Sequence, residues 1–188
     1  MSAKDSGFII KGKRIYLQEL GLSDAESLYK NIKDKEVLKF TDVPQSFSLK
    51  DAFKLIKKSK RDIKKRKGYQ LGIKSRRGQD VIGVIGLTEI DHKNKKAELD
   101  YWLNKKYRRL GIMKEAISLI VTFGFRKLKL RRIYARVLTE NMPSWKLLTA
   151  MGFTREGVLR KGLFERRRWH DLFIYSLLRE EFIKNIRG

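Results

Sequence analysis

Between Lys96 and Ala116 the chain gathers the residue types that could do chemistry. Apolar and polar side chains alternate over Ala97–Leu103, so a strand there turns Glu98, Asp100 and Trp102 to one face. Two carboxylates on the wall of a cleft can take a proton from an attacking nucleophile; Glu98 is the first candidate, through a water, and Asp100 the second. The segment Arg108-Arg109-Leu110-Gly111-Ile112-Met113 then leads into an amphipathic helix. Gly111 lets the backbone approach a ligand with no Cβ in the way. The unpaired N–H groups and the positive end of the following helix suit a phosphate or pyrophosphate, and Arg108 and Arg109 add forks for its oxygens. Further on, Asn141 and Ser144 stand at the start of another helix, where they need no function beyond opening it.

Other segments must position these groups. Arg14–Leu20 alternates as a first strand after a loose start over residues 1 to 7. Ser23 and Glu26 have the spacing of a capping box before a helix carrying Leu28, Tyr29 and Ile32. A loop over Lys39–Gln45 contains Pro44, and Ser48 caps a second helix with Ala52, Leu55, Ile56, Ser59 and Ile63 on one side. Tyr69–Lys74, Val81–Ile90 and Ala97–Leu103 read as three antiparallel strands. The helix after Gly111 puts Met113, Ala116, Ile117, Ile120, Val121, Gly124 and Leu128 inward. Arg132–Leu138 is a strand, Asn141–Met151 a helix closed by Gly152, and Phe153–Leu159 with Trp169–Leu178 a final antiparallel pair. The order is βααβββαβαββ in one domain spanning residues 1–188: an α/β (α+β) protein with a mostly antiparallel mixed sheet of about seven strands and about four helices.

Composition narrows the chemistry. With no cysteine and two isolated histidines, His92 and His170, the expectation is metal-free chemistry without a thiol nucleophile. His170 reads as a surface histidine more readily than as an acceptor-site group. No apolar run approaches the roughly 20 residues of a membrane span, and no signal-peptide core stands at the start, so the reading is of a cytoplasmic protein. The 45 Lys+Arg against 21 Asp+Glu give a formal charge of +24, which attracts polyanions. Lys57, Lys58, Lys60, Arg61, Lys64, Lys65, Arg66 and Lys67, relieved only by Asp62, form either a solvated helix end or an RNA or ribosome contact.

The element order and the glycine loop resemble the GNAT superfamily of acetyl-CoA-dependent N-acetyltransferases. Three segments resemble its RimJ/RimL branch: Ala97–Leu103, Gly111–Ala116, and the pattern held by Asn141, Ser144, Gly152, Phe153, Glu156 and Gly157. In the acyl-CoA loop Arg108 and Gly111 fit the family form while Met113 replaces a small residue, and Asp100 stands where the branch often has glycine. The resemblance implies acetyl-CoA as co-substrate and direct attack by a primary amine in a ternary complex. It also implies cofactor contacts from Trp102, Leu103, Arg108, Arg109, Leu110, Gly111, Ile112, Met113, Asn141 and Ser144. Ser144 would protonate the leaving thiolate, Asn141 would hold the pantetheine arm, and a backbone N–H where the strands part near Trp102 and Leu103 would polarise the carbonyl. The implied acceptor is the N-terminal amine of a ribosomal-type protein. Two alternatives stay open: a small-molecule (antibiotic, polyamine or amino-acid) N-acetyltransferase, with polycations disfavoured by the overall charge unless acids dominate the pocket, and an RNA-binding protein that keeps the fold without catalysis. Monomer and homodimer are both compatible with the sequence.

Overall fold

The computed structural model describes residues 7–41, 43, 44 and 46–187. Residues 1–6 of the predicted loose start, and Asp42 and Gln45 of the predicted loop, lie outside the described residues. Eight strands form one sheet: β1 (Ile9–Lys11), β2 (Ile15–Glu19), β3 (Tyr69–Ser75), β4 (Val81–Asp91), β5 (Lys96–Leu103), β6 (Arg132–Leu138), β7 (Thr154–Glu165) and β8 (Arg168–Leu178), in the order β1-β2-β3-β4-β5-β6-β8-β7. Neighbours are antiparallel except β5 and β6, which run parallel. Among the described residues six α-helices accompany them: α1 (Ala25–Ile32), α2 (Lys35–Leu38), α3 (Leu49–Lys64), α4 (Ile112–Arg126), α5 (Met142–Ala150) and α6 (Arg179–Arg187).

The additions to the expected seven strands and four helices are short or terminal. β1 has three residues, too few to show alternation, and exists because Ile9–Lys11 pair with Tyr16–Gln18. α2 is a single turn capped by Asp34, whose Oδ1 accepts from Glu36 N–H at 2.8 Å. α6 follows β8 directly, with Glu181 accepting from Leu178 N–H at 2.8 Å. The Ser23–Glu26 capping box does not form. Asp24 takes that role, its Oδ2 accepting from Gly21 N–H at 2.9 Å while its Oδ1 meets Lys74 Nζ at 2.7 Å in a buried ion pair. At Ser48 the expected cap is present: its hydroxyl accepts from Asp51 N–H at 3.3 Å and Asp51 accepts from Ser48 N–H at 3.1 Å. The last pair is longer than its alternation suggests, because β7 runs on to Glu165 and leaves only Arg166 and Arg167 as the turn.

Each sheet face carries its own apolar layer. On one, Leu17, Leu71, Leu87, Leu99 and Ile133 pack under Ala116, Ile117, Ile120 and Phe125 of α4. On the other, Leu20, Val81 and Val84 meet Leu28 and Ile32 of α1 and Ala52 and Ile56 of α3, with Trp102 against them. Buried aliphatic side chains of this kind contribute roughly 1.5–3 kcal/mol each. Both layers bracket β5, so its alternate residues are held from opposite sides.

Candidate active site

The parallel pair is incomplete. β5 and β6 pair only through Lys96↔Arg132, Ala97↔Ile133 and Glu98↔Tyr134, after which the strands part. β5 stays paired to β4 up to Leu103, so its backbone from Leu99 onward faces the gap with its other edge. A cavity of ≈ 550 Å³ occupies this region, lined by Glu98, Leu99, Asp100 and Tyr101 from β5, Ala135–Leu138 from β6, and Asn141 and Ser144 at the start of α5. Side chains from both faces of β5 reach it because it opens through the gap in the sheet.

Glu98 is buried, and the exposed Arg136 grips both of its oxygens: Nε donates to Oε1 at 2.8 Å and an Nη to Oε2 at 2.5 Å. The bond to Glu98, more than the neighbouring Glu89 charge, pushes the Arg136 guanidinium further up. A carboxylate has about four lone-pair sites, so this fork leaves room for a water on Glu98. Asp100 accepts from Gln70 Nε2 at 2.8 Å. Opposite it stands Gly86, where an added Cβ would lie 2.9 Å from Asp100 Oδ1 and 2.8 Å from Gln70 Cγ, so the absence of a side chain makes this arrangement possible. Trp102 shares the face of Glu98 and Asp100 but packs into the α1/α3 layer, away from the cavity lining.

Across the gap, Tyr101 Oη lies 2.9 Å from Ser144 Oγ. Burial, only partly offset by that bond, pushes the phenol up to about 12, so it stays protonated throughout the neutral range. Asn141 caps α5, its side-chain oxygen accepting from Ser144 N–H at 3.3 Å. Both residues therefore open the helix and line the cavity together.

The cavity's electrostatics oppose those of the chain. Five carboxylates, Asp62, Glu89, Glu98, Asp100 and Glu165, line it against three cations, Lys58, Lys67 and Arg136. The basic stretch that runs from α3 into its connection with β3 supplies two of those cations, Lys58 and Lys67, and one of the acids, Asp62.

The glycine loop lies beyond the end of β5, outside this cavity. Arg109 and Gly111 are both left-handed, at φ 62° and 72°, and Gly111 is the N-cap of the fifteen-residue α4. Alternating backbone conformations of this sort turn N–H groups inward as an anion nest. Arg14 braces the loop, donating from Nη1 to Leu110 O at 2.7 Å and from Nε to Glu115 Oε2 at 2.9 Å. Burial opposes ionisation of Glu115, but bonds from the Arg14 and Ile15 N–H groups and the Arg14 charge outweigh it and hold the carboxyl below its ordinary value. Met113 turns into the core, as its apolar side chain favours. Arg108 is turned back: its Nε donates to Leu103 O at 3.1 Å and its Nη1 lies 3.9 Å from Glu36. Leu103 is buried, while Arg109 and Leu110 are exposed.

His170 is not on the surface. It is buried, with Nδ1 3.0 Å from Glu140 Oε1. Arg168 Nε donates to its Nε2 at 3.0 Å, which makes Nε2 the acceptor and leaves the proton on Nδ1. Glu140, which precedes Asn141, therefore ties the start of α5 to β8.

The structure brings Glu98, Asp100, Asn141 and Ser144 to one cavity, together with Tyr101 and Arg136, which the sequence did not single out, while Arg14 stands behind the glycine loop. The signal for Arg136 was a cation inside a strand whose neighbours are Ala135 and Val137; Tyr101 fell on the face that alternation assigned to the core.

Parted parallel strands, an acid-lined cavity and a glycine loop at a helix N-terminus make the arrangement of an acyl-CoA-dependent transferase. Residues 14–154 match the family described as "Acetyltransferase (GNAT) domain", and the chain belongs to that family as an acetyl-CoA-dependent N-acetyltransferase. It is 31% identical over 171 residues to the uncharacterized N-acetyltransferase YoaA of Bacillus subtilis (strain 168), covering 91% of this chain and 97% of that protein. The ribosomal-protein-serine acetyltransferase of Escherichia coli (strain K12) is 29% identical over 97 residues, 52% of this chain and 54% of that protein. Among solved structures, the microcin C7 self-immunity acetyltransferase MccE in complex with acetyl-CoA and AMP superposes with a TM-score of 0.82 at 29% identity, covering 89% of this chain and 93% of that one. Among the described residues, no helix is long and apolar enough to cross a membrane.

Proposed function

We propose that the chain acetylates the N-terminal α-amino group of a protein, by direct attack in a ternary complex with acetyl-CoA. The observation that carries this reading is the acid-lined cavity at the strand gap of a +24 chain, which favours a cationic amine where the reaction occurs. An α-amine with pKa about 8 costs roughly 1 kcal/mol to deprotonate at pH 7, against about 4.6 kcal/mol for a lysine amine near 10.4. Weak carboxylate bases therefore suit the α-amine better.

Acetyl-CoA supplies the activated acetyl thioester. Residues 109–113 and the first turn of α4 would hold its pyrophosphate through backbone N–H groups, with Arg14 fixing the loop behind them. Arg108 would act by holding Leu103, and with it the end of β5, whose edge away from β4 would offer backbone groups to the pantetheine arm and an N–H to the thioester carbonyl. Glu98, oriented by Arg136, would receive the amine proton through a water, with Asp100 as second acceptor. The Ser144 hydroxyl would protonate the thiolate, aligned by Tyr101. Asn141 would hold the pantetheine arm where the cap on α5 places it.

Incubation with acetyl-CoA and paired peptides, one with a free N-terminus and one N-blocked with an internal lysine, tests this by thiol release and mass analysis. Turnover confined to the free α-amine is expected; equal kcat/KM on the blocked peptide would overturn the assignment. A small polyamine belongs in the same panel for a specific reason. The local excess of carboxylates removes, inside the cavity, the repulsion expected from the overall charge.

A further inference from the structure

We propose that the end of the sheet opposite the α4 N-terminus is an RNA-binding plate. Three connections meet there: α3 to β3, β4 to β5, and α4 to β6. They are bonded to one another. His92 Nε2 lies 2.8 Å from Arg66 O, Ile90 N–H donates to Lys67 O at 3.2 Å, and Arg131 N–H donates to Lys95 O at 2.6 Å. The β8 exit joins them, with Arg179 N–H donating to Arg131 O at 3.0 Å.

The exposed cations on this plate include Lys64, Lys65, Arg66, Lys93, Lys95 and Lys129. Acids among the same segments are engaged: Asp62 with Lys58 and Arg61, Asp91 with Asn94, and Glu180 with Arg131. Cations at the ends of α3 and α4 offset the helix dipoles, but that effect fades within the last turn and does not reach Lys93 and Lys95.

Each connection makes its bend with a left-handed residue: Arg66 at φ 55°, Lys95 at φ 54° and Lys129 at φ 58°. Glycine or asparagine takes this conformation readily, whereas other residues bear roughly 1–2 kcal/mol. A cation stands at all three bends, as it also does at the left-handed Arg109, Lys161, Arg166 and Arg167 elsewhere, so what distinguishes this end of the sheet is that three such bends are hydrogen-bonded side by side.

Spaced cations on a rigid surface suit a phosphate backbone. None of the three connections exposes a large hydrophobic side chain, and at the adjoining β8 exit Leu178 and Ile183 are each 38% exposed, a small apolar area beside the spaced charges. The cations sit on connections rather than on a helix free to enter a major groove, the element that duplex DNA readout uses. The phosphates of an RNA strand or A-form helix require only correctly spaced charge.

The test is fluorescence anisotropy with a labelled RNA hairpin across a KCl series, using the full chain and two quadruple variants. In the plate variant Lys64, Lys65, Lys93 and Lys129 become Gln; in the control Lys11, Lys13, Arg76 and Arg77 become Gln. The plate variant is expected to lose at least about tenfold in affinity at low salt, with a slope of log K on log salt shallower by up to about 3. The control is expected to bind as the unmodified chain does. Equal losses in both variants, absence of RNA binding by the unmodified chain, or plate-dependent binding to phosphatidylserine vesicles in place of RNA would each overturn the proposal. Retained acetyl-CoA binding in both variants shows that they are folded.

Discussion

Replacing Gly111 with alanine separates the phosphate-loop reading from a purely structural turn. Gly111 stands at φ 72°, where a Cβ costs roughly 1–2 kcal/mol. The new methyl would lie 3.1 Å from Arg14 Nη2, the movable end of an exposed side chain, so the steric part is a few tenths of an ångström of adjustment. Adjustment loosens the Arg14 bonds to Leu110 and Glu115, a pair exposed enough to contribute at most about 1 kcal/mol. The total, about 2 kcal/mol, has two outlets. If the loop keeps its shape, the strain lowers Tm by roughly 4–8 °C for a chain of this size, at about 2–4 °C per kcal/mol. If the loop relaxes, its N–H groups turn away, and acetyl-CoA affinity falls by up to about thirtyfold, since about 1.4 kcal/mol is tenfold. Calorimetric titration with acetyl-CoA beside a thermal melt measures both outlets, and Gly78→Ala, whose added Cβ meets nothing within 4 Å, is the control that should change neither. The loop being exposed, relaxation is expected to dominate, with a clear loss of affinity and a modest Tm change. Undiminished acetyl-CoA affinity in Gly111→Ala without the Tm loss of a loop held in its shape would refute the phosphate-loop reading.

Three further outcomes follow from the geometry. Tyr101→Phe removes the 2.9 Å contact to Ser144 and is expected to lower kcat roughly fivefold, consistent with a hydrogen bond of about 1 kcal/mol. KM for acetyl-CoA should hold, and so should the shape of the pH–rate profile, because a phenol at about 12 does not titrate within the assay range. Steady-state kinetics from pH 6 to 9 check both. Glu156 sits at about 2 rather than 4.5, chiefly through its hydrogen bonds from Arg132. A lowered carboxyl stabilises the fold above its ordinary value and loses that contribution as pH falls from 4.5 towards about 2. Since Glu156 is 37% exposed, the contribution is about 1 kcal/mol or less, and urea unfolding of Glu156→Gln should show a smaller drop between neutral and acid pH than the unmodified chain. Lys74→Met strands the buried Asp24 carboxylate and is expected to cost about 3 kcal/mol in urea unfolding, the low end for such pairs because Gly21 N–H still bonds Asp24.

What could be read from the sequence was what repeats locally. Alternation placed Glu98 and Asp100 on one face of β5, helical spacing put Met113 and Ala116 inward, and the Ser48 cap appeared where its spacing required. Partners set by distant pairing could not be read. Glu98 meets Arg136 because β5 and β6 run parallel for three residues, and Glu115 meets Arg14 because β2 passes under the start of α4. A cation inside the β6 strand pattern marks Arg136 as unusual, but neither segment alone names its partner. The Ser23–Glu26 spacing misled for the same reason: Asp24, with Lys74 across on β3 to pair with, caps the turn. β1 and α2 are too short for any period to show.

Net charge is a poor guide to the charge felt at the reaction centre. At physiological ionic strength exposed charges are largely screened beyond about 8 Å, so most of the +24 acts on approach rather than inside the cavity. There the acids of β4, β5, α3 and the β7 tip outnumber the cations. On the proposed reading, the overall field would select what the protein associates with, and the local one what reacts. A cationic amine carried on a larger, polyanion-associated partner satisfies both, whereas a free polycation satisfies only the second. That difference favours a protein terminus as acceptor over a small polyamine, even though the cavity lining alone would accept either.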